Sequence, residues 1–105
     1  MSMIPRSMLF YWSKGAQIRR NIIRLIGSCN RKDEPCFMNQ IAREVGLSHV
    51  AVKKHIDLLI SEDYIRPINP EGKPIYLELT AEGMLEYDAI FQKGSKIAKE
   101  KKLSR

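Results

Sequence analysis

Two cysteines and two histidines are the residues of this 105-residue sequence whose types could bind a metal ion. Cys29, Cys36, His49 and His55 follow one another in the order of a Cys2His2 zinc site. The six residues between the cysteines exceed the usual two to four. The two histidines, six residues apart on one helix, would point about 240° away from each other. The spacing therefore predicts no metal site, and we expect no cofactor.

Cys29 and Cys36 allow two interpretations of their own. A disulfide between them would close a small loop and stabilise the fold by about 2 to 3 kcal/mol if it were unstrained. The alternative is a pair of free, half-buried thiols. Disulfides are rare inside mesophilic cells but frequent in hyperthermophilic archaea, so the sequence alone leaves both interpretations open.

The sequence contains no motif that indicates catalysis or insertion into a membrane. The segment EGKP, residues 71–74, lacks the upstream glycine and the Ser or Thr after Lys that a phosphate-binding loop needs. No grouping of Ser, His and Asp and no carboxylate pair falls on an expected concave site. No stretch approaches the roughly 18 apolar residues of a membrane helix, and the apolar run near the N-terminus is too short for a signal peptide. We expect a protein that is not an enzyme, does not enter membranes and stays in the cytoplasm.

Basic residues are abundant and unevenly distributed. The chain has 18 Lys and Arg against 12 Asp and Glu, a formal net charge of +6. Residues 1–30 contain five basic residues and no acidic residue, and residues 93–105 contain six basic residues and one acidic residue. Such blocks attract polyanions, of which nucleic acid is the most common inside cells. A solvated surface with a frayed basic tail is the alternative.

Hydrophobic periodicity predicts three helices in the first two thirds of the chain. The first covers residues 16–29 and precedes a short extended segment after Pro35. The second begins near Asn39, the expected N-cap, and ends at Gly46, which can adopt a positive φ. Ala42 is small because the second and third helices should cross closely there. Ser48 is expected to cap the third helix, whose core-facing stripe comprises Val52, Ile56, Leu59 and Ile60.

The segment after the third helix predicts a β-hairpin and a fourth helix. Pro70 and Gly72 suit a type I turn between two short extended runs. Thr80 stands where an N-cap is needed for the last helix. We therefore predict a mostly α fold with a small β-hairpin wing, in the order helix, short strand, helix, helix, hairpin, helix. The hairpin residues expected to face the core are Ile75, Leu77 and Leu79.

Three stretches of this sequence resemble winged helix-turn-helix regulators, especially small archaeal and bacterial repressors of the ArsR and MarR types. They are IAREVGLSHVAVKKHIDLLISEDYI (residues 41–65), the hairpin, and YLELTAEG (residues 76–83). The resemblance implies a winged helix-turn-helix domain over residues 15–92, an apolar N-terminal segment over residues 1–14 and a basic tail or helix extension over residues 93–105. An archaeon or archaeal virus would fit the short basic chain.

The same resemblance implies which residues bind DNA. The third helix becomes the recognition helix, Lys73 lies at the wing tip and Arg66 at the wing base. The expected DNA-binding residues are Ser48, His49, Val50, Lys53, Lys54, Arg66, Lys73, Arg19 and Arg20. His49 could hydrogen-bond a base edge and Val50 could contact a thymine methyl group. Asp57 would be repelled by phosphate unless it pairs with Lys53 or Lys54.

These features predict a sequence-specific regulator of transcription that binds double-stranded DNA, a homodimeric repressor associated with the nucleoid. Its third helix would enter the major groove, and its wing would contact the backbone or minor groove. The N-terminal segment and the last helix are the expected dimer contacts, although the N-terminal segment could instead cover its own core. The alternative function is a winged-helix module that binds proteins or binds DNA without sequence preference, since the fold alone does not fix function.

Overall fold

The computed structural model describes residues 5–11, 13–72 and 74–90, and within these ranges it contains five helices and two short strands. The predicted mostly α fold with a β-hairpin wing is confirmed. No helix in the described ranges is long and apolar enough to cross a membrane. In chain order the elements are α1 (Arg6–Phe10), α2 (Lys14–Arg31), α3 (Met38–Val45), α4 (His49–Ser61), β1 (Ile65–Pro67), β2 (Leu77–Leu79) and α5 (residues 81–90).

Helix α2 is the central element of the core and is longer than the predicted 16–29 at both ends. It begins earlier because the Ser13 hydroxyl accepts a hydrogen bond from the Ala16 N–H at 3.1 Å, a capping interaction. It ends later, just before Asp33, which adopts a left-handed φ of 58°. Its fully buried apolar residues are Ala16, Ile22, Ile23 and Ile26.

Helix α1 lies in the N-terminal segment, and two of its residues belong to the protein's own core. Leu9 and Phe10 are 1% and 0% exposed. The Phe10 ring meets Tyr64 edge-on, with ring centroids 5.0 Å apart. Met8, on the same helix, is 58% exposed.

The turn between α3 and α4 is formed as predicted. Gly46 has a φ of 73°, and its N–H donates to the Ala42 carbonyl at 3.0 Å. Ala42 itself is buried. Ser48 caps α4, because its hydroxyl accepts from the Ala51 N–H at 3.2 Å. The two helices are therefore joined by only three residues, 46–48.

The start of α3 differs from the prediction. Asn39 was expected to be the N-cap, but it lies inside the helix, and Phe37 is the N-cap without a side-chain hydrogen bond. The sheet fixes the extended backbone there, because Phe37 forms an isolated antiparallel bridge with Tyr76. The Leu77 N–H also donates to the Cys36 carbonyl at 2.8 Å. This bridge is the predicted short strand.

The wing is an antiparallel pair in which Ile65 lies opposite Leu79 and Pro67 opposite Leu77. Leu77 and Leu79 are buried as predicted, and Ile75 is half-buried. A β-turn forms at the predicted position, with a hydrogen bond of 2.8 Å from the Gly72 N–H to the Asn69 carbonyl.

The first turn of α5 is attached to the end of α4. The Thr80 hydroxyl accepts from the Gly83 N–H at 3.1 Å, which confirms the predicted N-cap, and donates to the Asp63 carbonyl at 2.6 Å. The Thr80 N–H donates to the Tyr64 carbonyl at 3.1 Å. A Cβ at position 83 would lie 2.1 Å from the same carbonyl oxygen, so only glycine allows this close approach.

Candidate nucleic-acid interface

Helix α4 separates an apolar face from a polar one. Val52, Ile56 and Leu59 are 0% exposed and form the buried side. The opposite side presents four exposed residues that we call the reading face: His49, Val50, Lys53 and Lys54. Val50 is 68% exposed. Ser48 caps the helix directly before these residues, so all the predicted contact residues of α4 lie close together.

His49 is held at the start of α4 by Asn39 of α3. The imidazole Nε2 and the Asn39 Oδ1 form a hydrogen bond. An amide oxygen only accepts, so Nε2 is the donor of this hydrogen bond. Sequence reasoning missed this role because it assigned Asn39 to the helix cap. Only the tight turn brings these residues, ten positions apart, into contact.

A concave, mainly apolar surface lies between the reading face and the wing. Its volume is about 350 Å³. His49 and Asn39 line one side, and wing residues on both sides of position 73 line the other. The start of α4 and the hairpin are thus two edges of one groove. Its apolar lining includes Met38, Pro70, Pro74 and Ile75.

Charge on α4 is partly neutralised within the helix. The Lys53 Nζ lies 2.7 Å from the Asp57 Oδ2, and the two side chains are 60% and 55% exposed. An exposed pair of this kind contributes about 0 to 1 kcal/mol, so phosphate could compete for Lys53. Lys54 has no hydrogen bond or ion pair within residues 5–11, 13–72 and 74–90. Lys54 is therefore the cation of the reading face that is offered most directly to a polyanion.

The wing carries a second ion pair. The Arg66 Nη2 lies 2.5 Å from Oε2 of Glu78, its cross-strand partner. The side chains are 62% and 34% exposed, so this pair also lies near solvent. Lys73, the predicted contact at the wing tip, lies outside the described residues, as does the basic tail at residues 93–105.

Asn69 shapes the hairpin loop and was not singled out in the sequence. Its Oδ1 accepts from the Tyr76 N–H at 2.7 Å, and its Nδ2 donates to the Pro74 carbonyl at 3.2 Å. A Cβ on Gly72 would lie 2.0 Å from that Nδ2, so the glycine leaves room for the amide. An Asn before Pro in a turn was the available signal, because Asx side chains often hydrogen-bond nearby backbone.

The two arginines predicted to contact DNA from α2 both touch the N-terminal segment. The Arg20 guanidinium lies over the Tyr11 ring, with Cζ 5.7 Å from the centroid. Arg19 donates to the backbone carbonyl of Leu9 and contacts His55 of α4. Burial, and then the positive charge of Arg19, lower the pKa of His55. The roles of both arginines at DNA stay predictions.

Cys29 and Cys36 are brought together in the core as free thiols. They are 8% and 1% exposed. Burial raises the pKa of Cys36 well above its usual range, and a side-chain hydrogen bond and charge interaction with Cys29 raise it further. The disulfide stays a prediction. In the described part of the chain, no group of three or more His, Cys, Asp or Glu residues could hold a metal ion.

Helix α3, its three-residue turn, helix α4 and the two-stranded hairpin form a winged helix-turn-helix, and α1, α2 and α5 complete the domain. No protein-family model matches the sequence, and no curated protein sequence matches it either. Solved structures do match, at sequence identities low enough that the likeness concerns the fold alone. The expected resemblance to winged helix-turn-helix regulators is thereby confirmed as a resemblance of fold.

Three solved structures illustrate the likeness. FabT from Streptococcus pneumoniae, in complex with DNA, has 20% identity and a TM-score of 0.66 over 93% of this chain and 68% of its own. The adhesin competence repressor AdcR from Streptococcus pyogenes has 17% identity and a TM-score of 0.62, covering 82% and 63%. A mutant of ZitR from Lactococcus lactis has 13% identity and a TM-score of 0.67, covering 98% and 67%. The chain thus spans between 63% and 68% of the length of these proteins.

Proposed function

We propose that this protein is a transcriptional regulator that binds double-stranded DNA in a sequence-specific manner. The observation that carries the proposal is the reading face, an exposed surface with two lysines at the capped N-terminal half of α4. A major groove admits one α-helix, and base edges are read near the start of that helix. The solved structure of FabT with DNA supports the same use of this fold.

Each residue of the proposed interface has a chemical role. His49 hydrogen-bonds a base edge, with Asn39 holding its ring, and Val50 contacts a thymine methyl group. Lys54 binds a phosphate directly, and Lys53 does so by exchanging Asp57 for phosphate. The phosphate contacts we assign outside these residues are the N-terminal end of α4 at Ser48, the wing cations Arg66 and Lys73, and Arg20 on α2.

The proposed assembly is a homodimer that acts as a repressor in the cytoplasm, at the nucleoid. Leu85 on α5 is 65% exposed and Met8 on α1 is 58% exposed, and such apolar side chains suit a contact with a second copy. Twofold symmetry would place two recognition helices about 34 Å apart, one turn of DNA. The binding site is then an approximate palindrome.

Selection of duplexes from a random pool at near-physiological salt tests the proposal. Enrichment of a palindromic motif with half-sites about one helical turn apart is the expected result. His49→Ala should relax base preference at one position of each half-site. A profile without enrichment, or a motif unchanged in His49→Ala, would overturn the specific reader or the role of His49, respectively.

A module that binds DNA without sequence preference, or binds another protein, is the second candidate. The two ion pairs that neutralise Lys53 and Arg66 favour the protein-binding module, because they leave fewer cations for phosphate. Salt dependence separates these functions, because each phosphate contact contributes a slope of about 0.9 in log K against log salt. Lys54→Ala should reduce the slope by about one in a DNA binder. Steep salt dependence without motif enrichment identifies the architectural binder, and no retention of DNA identifies the protein-binding module.

A further inference from the structure

The guanidinium of Arg19, on α2, contacts both α1 and the recognition helix α4. The Arg19 Nε donates to the Leu9 carbonyl at 2.7 Å, and its Nη2 donates to the Met8 carbonyl at 3.3 Å. Its Nη1 lies 3.2 Å from the Nδ1 of His55. Arg19 therefore joins the carbonyl end of α1 to the recognition helix α4 from a fixed position on α2.

The chemistry of this contact defines the protonation of His55. Arginine has only donors, so Nδ1 must accept, and the neutral ring carries its hydrogen on Nε2. A charged imidazole would present a donor to a donor. The site is also closely packed, because a Cβ on Gly15 would lie 3.1 Å from the Arg19 Nη1 and 3.4 Å from the His55 Cε1.

The position of His55 makes this connection relevant to DNA. It follows Lys54 of the reading face and precedes Ile56, which is fully buried. A change in the contact between His55 and Arg19 would alter how α4 packs against the rest of the domain. The other end of the connection, α1, precedes Tyr11 and carries Met8, the exposed residue of the proposed dimer surface.

We propose that Arg19 is a positioning residue that couples α1 to the recognition helix, and that it does not bind phosphate. This inference rests on the proposed function. It differs from the sequence-based expectation for Arg19 because its two hydrogen bonds to α1 and its contact with His55 use three of its five N–H donors, one on each guanidinium nitrogen, within the protein.

Two charge-matched substitutions test the role of Arg19. Arg19→Met removes the donors and keeps an apolar stem, and Arg24→Met removes the same charge from the exposed side of α2, where Arg24 donates to Asn21 at 3.1 Å. Arg19→Met should weaken binding to the selected duplex by roughly tenfold without changing the salt slope. Hydrogen exchange at the α1 amides should become faster by a similar factor. Arg24→Met should leave α1 exchange as in the wild type.

Substitutions at His55 test the same connection if Arg19→Met fails to fold. His55→Asn keeps an acceptor near the Nδ1 position, and His55→Leu removes it. We expect His55→Asn to retain wild-type α1 exchange and affinity, and His55→Leu to accelerate α1 exchange and weaken binding with an unchanged salt slope. Equal behaviour of the two variants would overturn the hydrogen-bonded coupling.

The result that would overturn the inference directly is a salt slope reduced by about one in Arg19→Met, with α1 exchange unchanged. Arg19 would then be a phosphate contact. If the wild-type protein retains no DNA, the proposed function fails, and the role in DNA reading fails with it. Hydrogen exchange in the free protein still reports whether α1 and α4 are coupled, so the two failures are distinguishable.

Discussion

Replacing Gly27 with alanine tests how closely α2 packs against α5. Gly27 is buried in α2, and a Cβ there would lie 2.2 Å from Cδ1 of Tyr87 and 2.6 Å from Cε1 and Cγ. These atoms belong to a rigid ring that is 5% exposed, so the helices must separate. Overpacking of this kind costs about 1 to 3 kcal/mol, and alanine returns up to about 1 kcal/mol of helix propensity. Since the clash is with a ring, we expect a net loss of about 2 kcal/mol.

Thermal and urea denaturation of Gly27→Ala measure this loss. A decrease of about 2 kcal/mol corresponds to a Tm lower by roughly 8 to 16 °C for a domain of this size. In a Tyr87→Leu background, Gly27→Ala should become neutral or stabilising. Unchanged stability of Gly27→Ala in the wild-type background would refute the close packing of α2 on α5.

Three further predictions follow from the site. The pKa of His55 is lower in the folded state than in the unfolded state, so the unfolded state binds more protons as pH falls below about 6.5, and stability should decrease there. Between pH 7.5 and pH 5.5, the Tm should therefore fall less in His55→Asn than in the wild type. Equal decreases in the two proteins would contradict this. Burial raises the pKa of Cys36, so a thiol reagent at neutral pH should react slowly with the native protein; in non-reducing denaturant, two reactive thiols indicate the reduced pair and none indicates the disulfide with Cys29. Asp57→Asn removes the partner of Lys53 and should tighten DNA binding, because Lys53 then reaches phosphate without first leaving Asp57, whereas an unchanged affinity would contradict this exchange.

Local backbone chemistry explains what could be predicted from the sequence. The capping hydrogen bonds of Gly46, Ser48 and Thr80 span three or four residues, and all three caps were predicted correctly. The end of α2 was less predictable because an aspartate, Asp33, takes the left-handed position that glycine usually fills. Asp63 takes the same left-handed position after α4, with a φ of 69°.

The missed parts of the candidate site depend on contacts between distant residues. Arg19 was read as a surface cation, because nothing in its neighbourhood on α2 shows that carbonyl groups of α1 and a ring of α4 will surround it. The sequence predicts Asn39 as the N-cap of α3. The helix starts earlier, at Met38, because Phe37 is held in an extended conformation by its bridge with Tyr76. Hydrophobic periodicity predicts which face of a helix is buried, but it does not predict which partner a polar side chain meets.

The junction between α4 and α5 is a place where a small change of sequence could alter the spacing of the DNA half-sites that such a protein recognises. Thr80 and Gly83 fix the first turn of α5 against the carbonyl groups of residues 63 and 64. In a dimer that forms through α5, the angle between α4 and α5 at this junction would determine the distance between the two recognition helices. Changes of loop length at the wing tip would leave that distance unaltered. A single insertion between residues 62 and 64 would change the spacing of the two half-sites while every base-contacting side chain stayed the same.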